Sequence, residues 1–182
     1  MLRPTDNLRC DHALATHGLA VLAAIARQVR HGSGFPASDI ATLLRFLREF
    51  VLAVHMRKEN DHVCPAVAMR GDDRSAALVG ELLRMHDEAA ELVHALVMFW
   101  EPVGDLTAPE SLGFADTAEA LEARILRIQA IEEQELFPTC DAVVPADDQL
   151  DWIAAFERLE AERCSRAVWA QRVGDLAKVW LA

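Results

Sequence analysis

Residues 55–65 read HMRKENDHVCP, and residues 128–138 read IQAIEEQELFP. Laid over one another at an offset of 73, the two blocks share a glutamate (Glu59, Glu132) and a closing proline (Pro65, Pro138). His55 and Glu59 stand four apart, so they lie on one face of a helix. An imidazole and a carboxylate on one helical face, in a block used twice by an apolar chain, point to a metal ion held inside a helix bundle. The second copy breaks the pattern at one place, where Ile128 stands in register with His55.

The remaining sequence supplies the helices. Apolar residues make up 52% of the 182, Gly and Pro number 8 and 7, and tyrosine is absent. This is the makeup of an α-helical protein, long enough for one domain with a substantial core. Five helical stretches follow from the periodicity. The first begins near Thr5 or Asp6, runs to about His31, and carries the stripe Leu8, His12, Ala15, Leu19, Leu22, Ala26. After Gly32-Ser33-Gly34-Phe35-Pro36, Ser38 or Asp39 caps a second helix with Leu44, Val51, His55 and Glu59 inward, and Pro65 is expected to end or kink it. The third runs from about Arg74 to Trp100 with Val79, Leu82, His86, Val93 and Val97 on one face. A loop from Glu101 to Gly113 precedes a fourth helix, about Asp116 to Phe137, which presents Leu121, Ile125, Ile128 and Glu132 and stops at Pro138. A fifth fills Asp147 to about Trp180. Short connections make neighbouring helices antiparallel. The expected fold is an all-α, up-down-up-down four-helix bundle over about residues 5–140, with an additional C-terminal helix at about 147–180, all in a single domain.

Charge and cysteine usage narrow the function classes. Against 29 Asp and Glu stand 18 Lys and Arg, a net charge of −11. Such a surface repels phosphate backbones and argues against nucleic acid as a partner. Cys10, Cys64, Cys140 and Cys164 form no CxxC pair, so zinc-ribbon and thioredoxin-type sites are disfavoured and small buried hydrophobes in a reducing compartment are expected. MLRPTDNLRC has no apolar core of signal-peptide length, and no run approaches the ~20 apolar residues of a bilayer span. A cytoplasmic protein with no membrane partner is the expectation.

Helix register tests whether the inward polar residues meet. In an antiparallel pair, residues equally far from the connecting loop share a depth, at about 1.5 Å per residue. From a first loop centred near Gly34, His12 lies 22 residues before and His55 21 after, level to within about 2 Å. His17 falls about 6 Å out of level with His55, and about 140° around the helix from His12. From a third loop centred near residue 107, His86 lies 21 before and Ile128 21 after. The match of His55 to His86 across the turn near Asp72 is looser, and a kink near Pro65 absorbs it. His12, His55 and His86 thus converge from three helices, while Glu59 and Glu132 each sit one turn along their own. Burying two carboxylates is costly without a compensating positive charge, and imidazole with carboxylate suits iron, zinc or manganese. His17, His31, His62 and His94 are assigned structural or surface roles. The Trp and Phe residues of the last helix belong to packing, with a homo-oligomer surface around Trp152, Trp169 and Trp180 as the other use.

With these residues in view, the chain resembles the hemerythrin-like (HHE cation-binding) family. Phe46 to Pro65 reads F-x3-F-x4-H-x3-E-x5-P, similar to the family's second-helix motif; Asp11-His12 and Met85-His86 resemble the first- and third-helix ligands; EEQELFP from Glu132 resembles the fourth-helix motif. The resemblance covers about residues 8–140 and implies a non-haem di-iron fold. Carried over, His12 and His55 hold one iron, Glu59 and Glu132 bridge, and His86 serves the second. The chain departs from the family at Ile128, where histidine is usual, and on the third helix, where Leu82 and Ala90 flank His86 at one turn. A mononuclear site of His12, His55, Glu59 and Glu132, with His86 as a fifth ligand, fits these residues better than a full pair.

The resulting functional expectation is a metal-binding module holding one or two non-haem ions, iron before zinc or manganese, for dioxygen or redox chemistry or iron sensing. The alternative is a metal-free, degenerate bundle acting as a regulatory or protein-interaction module. Catalysis in the di-iron oxidase style ranks last, because the chain is short of ligands for two ions and carries no HExxH string, phosphate loop or Ser-His-Asp set.

Overall fold

The computed structural model describes residues 3–101, 105–163 and 165–182. These are helical, with no strand among the described residues. Four rods form the bundle. The first is α1 (Pro4–Arg30). The second joins α2 (Ala37–Phe46), the π-helical segments π1 (Leu47–Met56) and π2 (Glu59–Val63), and α3 (Cys64–Arg70). The third is α4 (Asp73–Trp100). The fourth joins α5 (Ala108–Ile131), π3 (Glu132–Leu136) and α6 (Phe137–Val143). The C-terminal addition lies beyond them as α7 (Ala146–Glu162) and α8 (Arg166–Trp180).

Local chemistry explains most ends. Pro4 sits in the first turn of α1, where its missing N–H costs nothing, and Asp6 accepts the Arg3 amide at 2.9 Å. Gly32, with φ of 83°, follows that helix and turns the chain. Asp72 caps α4 by accepting the Ser75 amide at 2.8 Å. Between rods, α1 packs on α5, α5 on α4, and α4 on α3, while α8 lies along α1. Gly18 lets α1 approach α2 closely, since a Cβ there would collide with the Phe46 ring. Leu8, Ala15, Leu19, Leu22 and Ala26 of the expected first stripe are all buried.

Several boundaries differ from the sequence expectation. Neither Pro65 nor Pro138 ends its rod, which continues to Arg70 and Val143 respectively. Each proline stands two residues beyond a wide π turn, over Glu59–Val63 and Glu132–Leu136. A proline ring clashes with the carbonyl four residues back in an α-helix, and the widened turn relieves that clash. The fourth rod starts at Ala108, because Thr107 and Glu110 form a capping box, with the Thr107 amide donating to Glu110 at 2.8 Å; Pro109 opens the first turn. Of the expected loop, residues 102–104 lie outside the described residues. The C-terminal segment is broken after Glu162, and Ser165 restarts it by accepting the Val168 amide.

The last two helices pack on the bundle. Trp169, Val173 and Phe156 are fully buried, and Trp152 and Trp180 pack partly buried against the same core. Val168, by contrast, is exposed. Cys64 and Cys140 are buried hydrophobes whose thiols are pushed up by burial, that of Cys140 to about 12. Cys10 is exposed, in contrast to the expectation, and Cys164 lies outside the described residues. No helix among the described residues is long and apolar enough to cross a membrane.

Candidate metal centre

The two repeated blocks fold alike. Glu59 and Glu132 each open a π turn. Inserted π turns re-aim side chains and recur at functional sites, and here both carboxylates end fully buried at the bundle centre. Three imidazoles meet them, from α1, π1 and α4, with His12, His55 and His86 no more than 3% exposed.

All three histidines turn Nε2 toward the carboxylates. His12 Nε2 lies 3.2 Å from Glu132 Oε2 and 3.8 Å from Glu59 Oε1. His55 Nε2 lies 3.4 Å from Glu59 Oε2. His86 Nε2 lies 2.9 Å from Glu132 Oε1 and 3.8 Å from Glu59 Oε2. Ligand atoms of His12, His55, Glu59 and Glu132 fall within 4.8 Å of one another, a group able to hold a metal ion. His86 reaches the same carboxylates from outside that tighter set.

Each Nδ1 faces outward to an oxygen. His12 Nδ1 meets Glu133 Oε1 at 2.8 Å, and His86 Nδ1 meets Asn60 Oδ1 at 2.8 Å. His55 Nδ1 has Asp11 Oδ2 at 3.6 Å, an electrostatic contact longer than a hydrogen bond. An outer acceptor at Nδ1 leaves the Nε2 lone pair free toward the centre, the arrangement that orients histidines at metal sites. Hydrogen bonding does not satisfy the two central carboxylates. His12 Nε2, both Glu59 oxygens and Glu132 Oε2 are buried without a well-aligned partner. Orphaned buried polar atoms each cost about 1–3 kcal/mol, and their concentration at one point is what a cation would relieve.

Protons partly meet that demand without a metal. Burial would lower the His12 value, but the Glu132 and Glu59 carboxylates outweigh it and raise it to about 10. His86 is raised against burial in the same way. Burial would raise Glu132, yet His12 and His86 bring it down to about 2. The centre therefore attracts positive charge.

The structure brings together His12, His55, Glu59, His86 and Glu132, the residues expected from sequence. His17, His31 and His94 are exposed, and His62 packs edge-on to Phe156, 5.5 Å between ring centroids. Ile128 is buried as a core hydrophobe. Sequence reasoning missed the outer layer. Asp11, Asn60 and Glu133 are neighbours in sequence of His12, Glu59 and Glu132, and that adjacency was the available signal. Gln129 and Glu133 do not supply the absent imidazole: Gln129 accepts from Thr16 at 2.9 Å, and Glu133 holds His12.

Fold and site together define a helical bundle whose centre gathers histidines and carboxylates able to hold a cation. A family model, the hemerythrin HHE cation binding domain, matches residues 3–140, and the chain belongs to that family. No curated protein and no solved structure gives a match.

Proposed function

We propose that this protein holds one non-haem metal ion, iron, through His12, His55, Glu59 and Glu132, with His86 as a fifth ligand, and uses it for dioxygen or redox chemistry or for iron sensing in the cytoplasm. The observation that carries the reading is the set of inward-facing, hydrogen-bond-deprived atoms at the centre. Nitrogen and oxygen donors in this mixture suit iron, manganese and zinc, and the resemblance to hemerythrin-like proteins favours iron. When bound, such an ion supplies a redox-active or Lewis-acidic centre able to take a small ligand.

The chain's own residues hold and screen the site. Glu133 and Asn60 fix His12 and His86 through Nδ1. Phe137 stacks on His12 at 5.3 Å between centroids, and the candidate ligands are all buried. An open surface cleft lined by Arg9, Thr16, Leu126 and Gln129 borders His12.

Elemental analysis of protein purified without a chelating tag tests the proposal, with one equivalent of iron expected after anaerobic reconstitution. His55→Ala is expected to lower the content far more than His17→Ala. Iron at 100 times its Kd adds about 2.7 kcal/mol of stability, which raises Tm by roughly 5–11 °C for a chain of this size. Substoichiometric iron, manganese and zinc together with an unmoved melt would instead support the metal-free interaction module.

A further inference from the structure

Next to the centre lies a second buried polar cluster that the metal reading does not use. Lys58 precedes Glu59 and is fully buried. Its Nζ donates to Asp11 Oδ2 at 2.8 Å, Glu160 Oε1 at 2.6 Å and Asn7 Oδ1 at 2.9 Å, and lies 5.3 Å from the centroid of Phe156. Arg166 completes the cluster. Its Nε donates to Asp11 Oδ1 at 2.6 Å, and its NH2 group donates to Glu160 Oε1 at 3.1 Å and to the Asn7 carbonyl at 3.2 Å. Two cations and two anions thus balance one another. Asp11 is fully buried and faces His55 Nδ1 at 3.6 Å, and that nitrogen has no hydrogen-bond partner.

The parts come from different regions. Asp11 and Lys58 belong to the family-matched bundle, whereas Glu160 on α7 and Arg166 on α8 lie beyond its last matched residue, 140. Both oxygens of Asp11 are committed, one to Lys58 and one to Arg166. Where Asp11 sits relative to His55 is therefore fixed jointly by the bundle and by the C-terminal pair.

We propose that the α7–α8 pair is an arm coupled to the metal centre, in which Asp11 is the positioning residue for His55, Lys58 and Arg166 hold Asp11 in place, and Glu160 ties those two cations together. Metal retention and docking of the arm then depend on each other, since coupling between two sites acts equally in both directions. The inference rests on the metal-binding reading. It gives the helices beyond the matched residues a part in holding the metal.

Chelator competition with Fe²⁺ on the full chain tests it, comparing wild type, Glu160→Gln and Glu160→Asp. Residues that couple to a ligand site without touching it change affinity by roughly 2–30-fold. Glu160→Gln is expected to weaken Fe²⁺ binding within that range, and Glu160→Asp, which keeps the charge but packs less well, to recover most of it. A role in packing alone predicts the opposite order, and either that order or equal affinities in all three proteins overturns the proposal. Hydrogen exchange on the wild type gives a second measurement that needs no variant to fold. Fe²⁺ is expected to slow exchange across residues 146–180, and exchange unchanged by bound Fe²⁺ also overturns the coupling. Failure of the wild type to bind Fe²⁺ at all overturns the metal reading and the coupling with it.

Discussion

Glu132→Gln keeps the shape of a fully buried side chain and removes its charge. Glu132 Oε1 stands 2.9 Å from His86 Nε2, and Oε2 stands 3.2 Å from His12 Nε2. In the metal-free protein the His12 contact is that of a carboxylate with an imidazolium ring, and the same carboxylate shifts His86 in the same direction. Removing one member of a buried ion pair costs about 3–5 kcal/mol, because the remaining charge is stranded. For a chain of this length each kcal/mol lowers Tm by roughly 2–4 °C, so a fall on the order of 6–20 °C at pH 7 is expected. The change should also reduce bound iron, a loss measured separately.

The pH dependence makes this prediction specific. Glu132 ionises near 2 when folded, below its ordinary 4.5. A depressed carboxylate contributes stability above its unfolded value and loses it as pH falls through the folded one. The gap between wild type and Glu132→Gln should therefore close between pH 4.5 and about 2. His12 is displaced the other way, from 6.5 to about 10. A raised histidine contributes fully below its unfolded value and loses that contribution as pH rises through the folded one. The gap should shrink again between pH 6.5 and about 10. Urea denaturation of chelator-treated protein across this range measures it. A difference that stays constant from pH 5 to pH 10 would refute the pairing of Glu132 with charged imidazoles.

Two further substitutions probe the frame around the site. Gly18→Ala places a methyl against the Phe46 ring and should cost about 1–3 kcal/mol, read as a lower urea midpoint with unchanged metal stoichiometry. Lys58→Met leaves Asp11 and Glu160 sharing only Arg166; a loss of about 3 kcal/mol is expected from the stranded buried carboxylate, seen as a lower calorimetric Tm.

How far these features were readable depends on where each residue's partner lies. The rods, the turns at Gly32 and Asp72, and the common depth of His12, His55 and His86 follow from local periodicity and helix rise, which need no distant contacts. The choice of His12 over His17 rests on the same arithmetic, and the exposed position of His17 agrees with it. Pro138 misled as a stop, because a proline disrupts an α-turn but tolerates a widened one; Pro65 marks a π-helical distortion of its rod rather than an end. Lys58 sits in the string RKEND, which reads as a solvated face; its partner Glu160 is 102 residues away. Asp11 likewise finds Arg166 at a separation of 155. Charges compensated over such distances carry no local signature, so the link between the last helices and the centre appears only in three dimensions.

Charge counting also bears on Ile128. The centre offers two carboxylates and three imidazoles that coordinate as neutral donors, so one divalent ion neutralises it. A second would leave two uncompensated positive charges in a buried site, a penalty of several kcal/mol per ion. Ile128→His restores a donor at the family position but adds no negative charge. Loss of the buried Ile side chain alone should destabilise the metal-free variant by about 1.5–3 kcal/mol. Its metal content should stay near one equivalent at neutral pH and rise toward two only in alkaline solution with excess Fe²⁺, where hydroxide can supply the missing charge. Tight binding of two equivalents at neutral pH would mean that the second position lacks only an imidazole, and the charge argument for a single ion would fail.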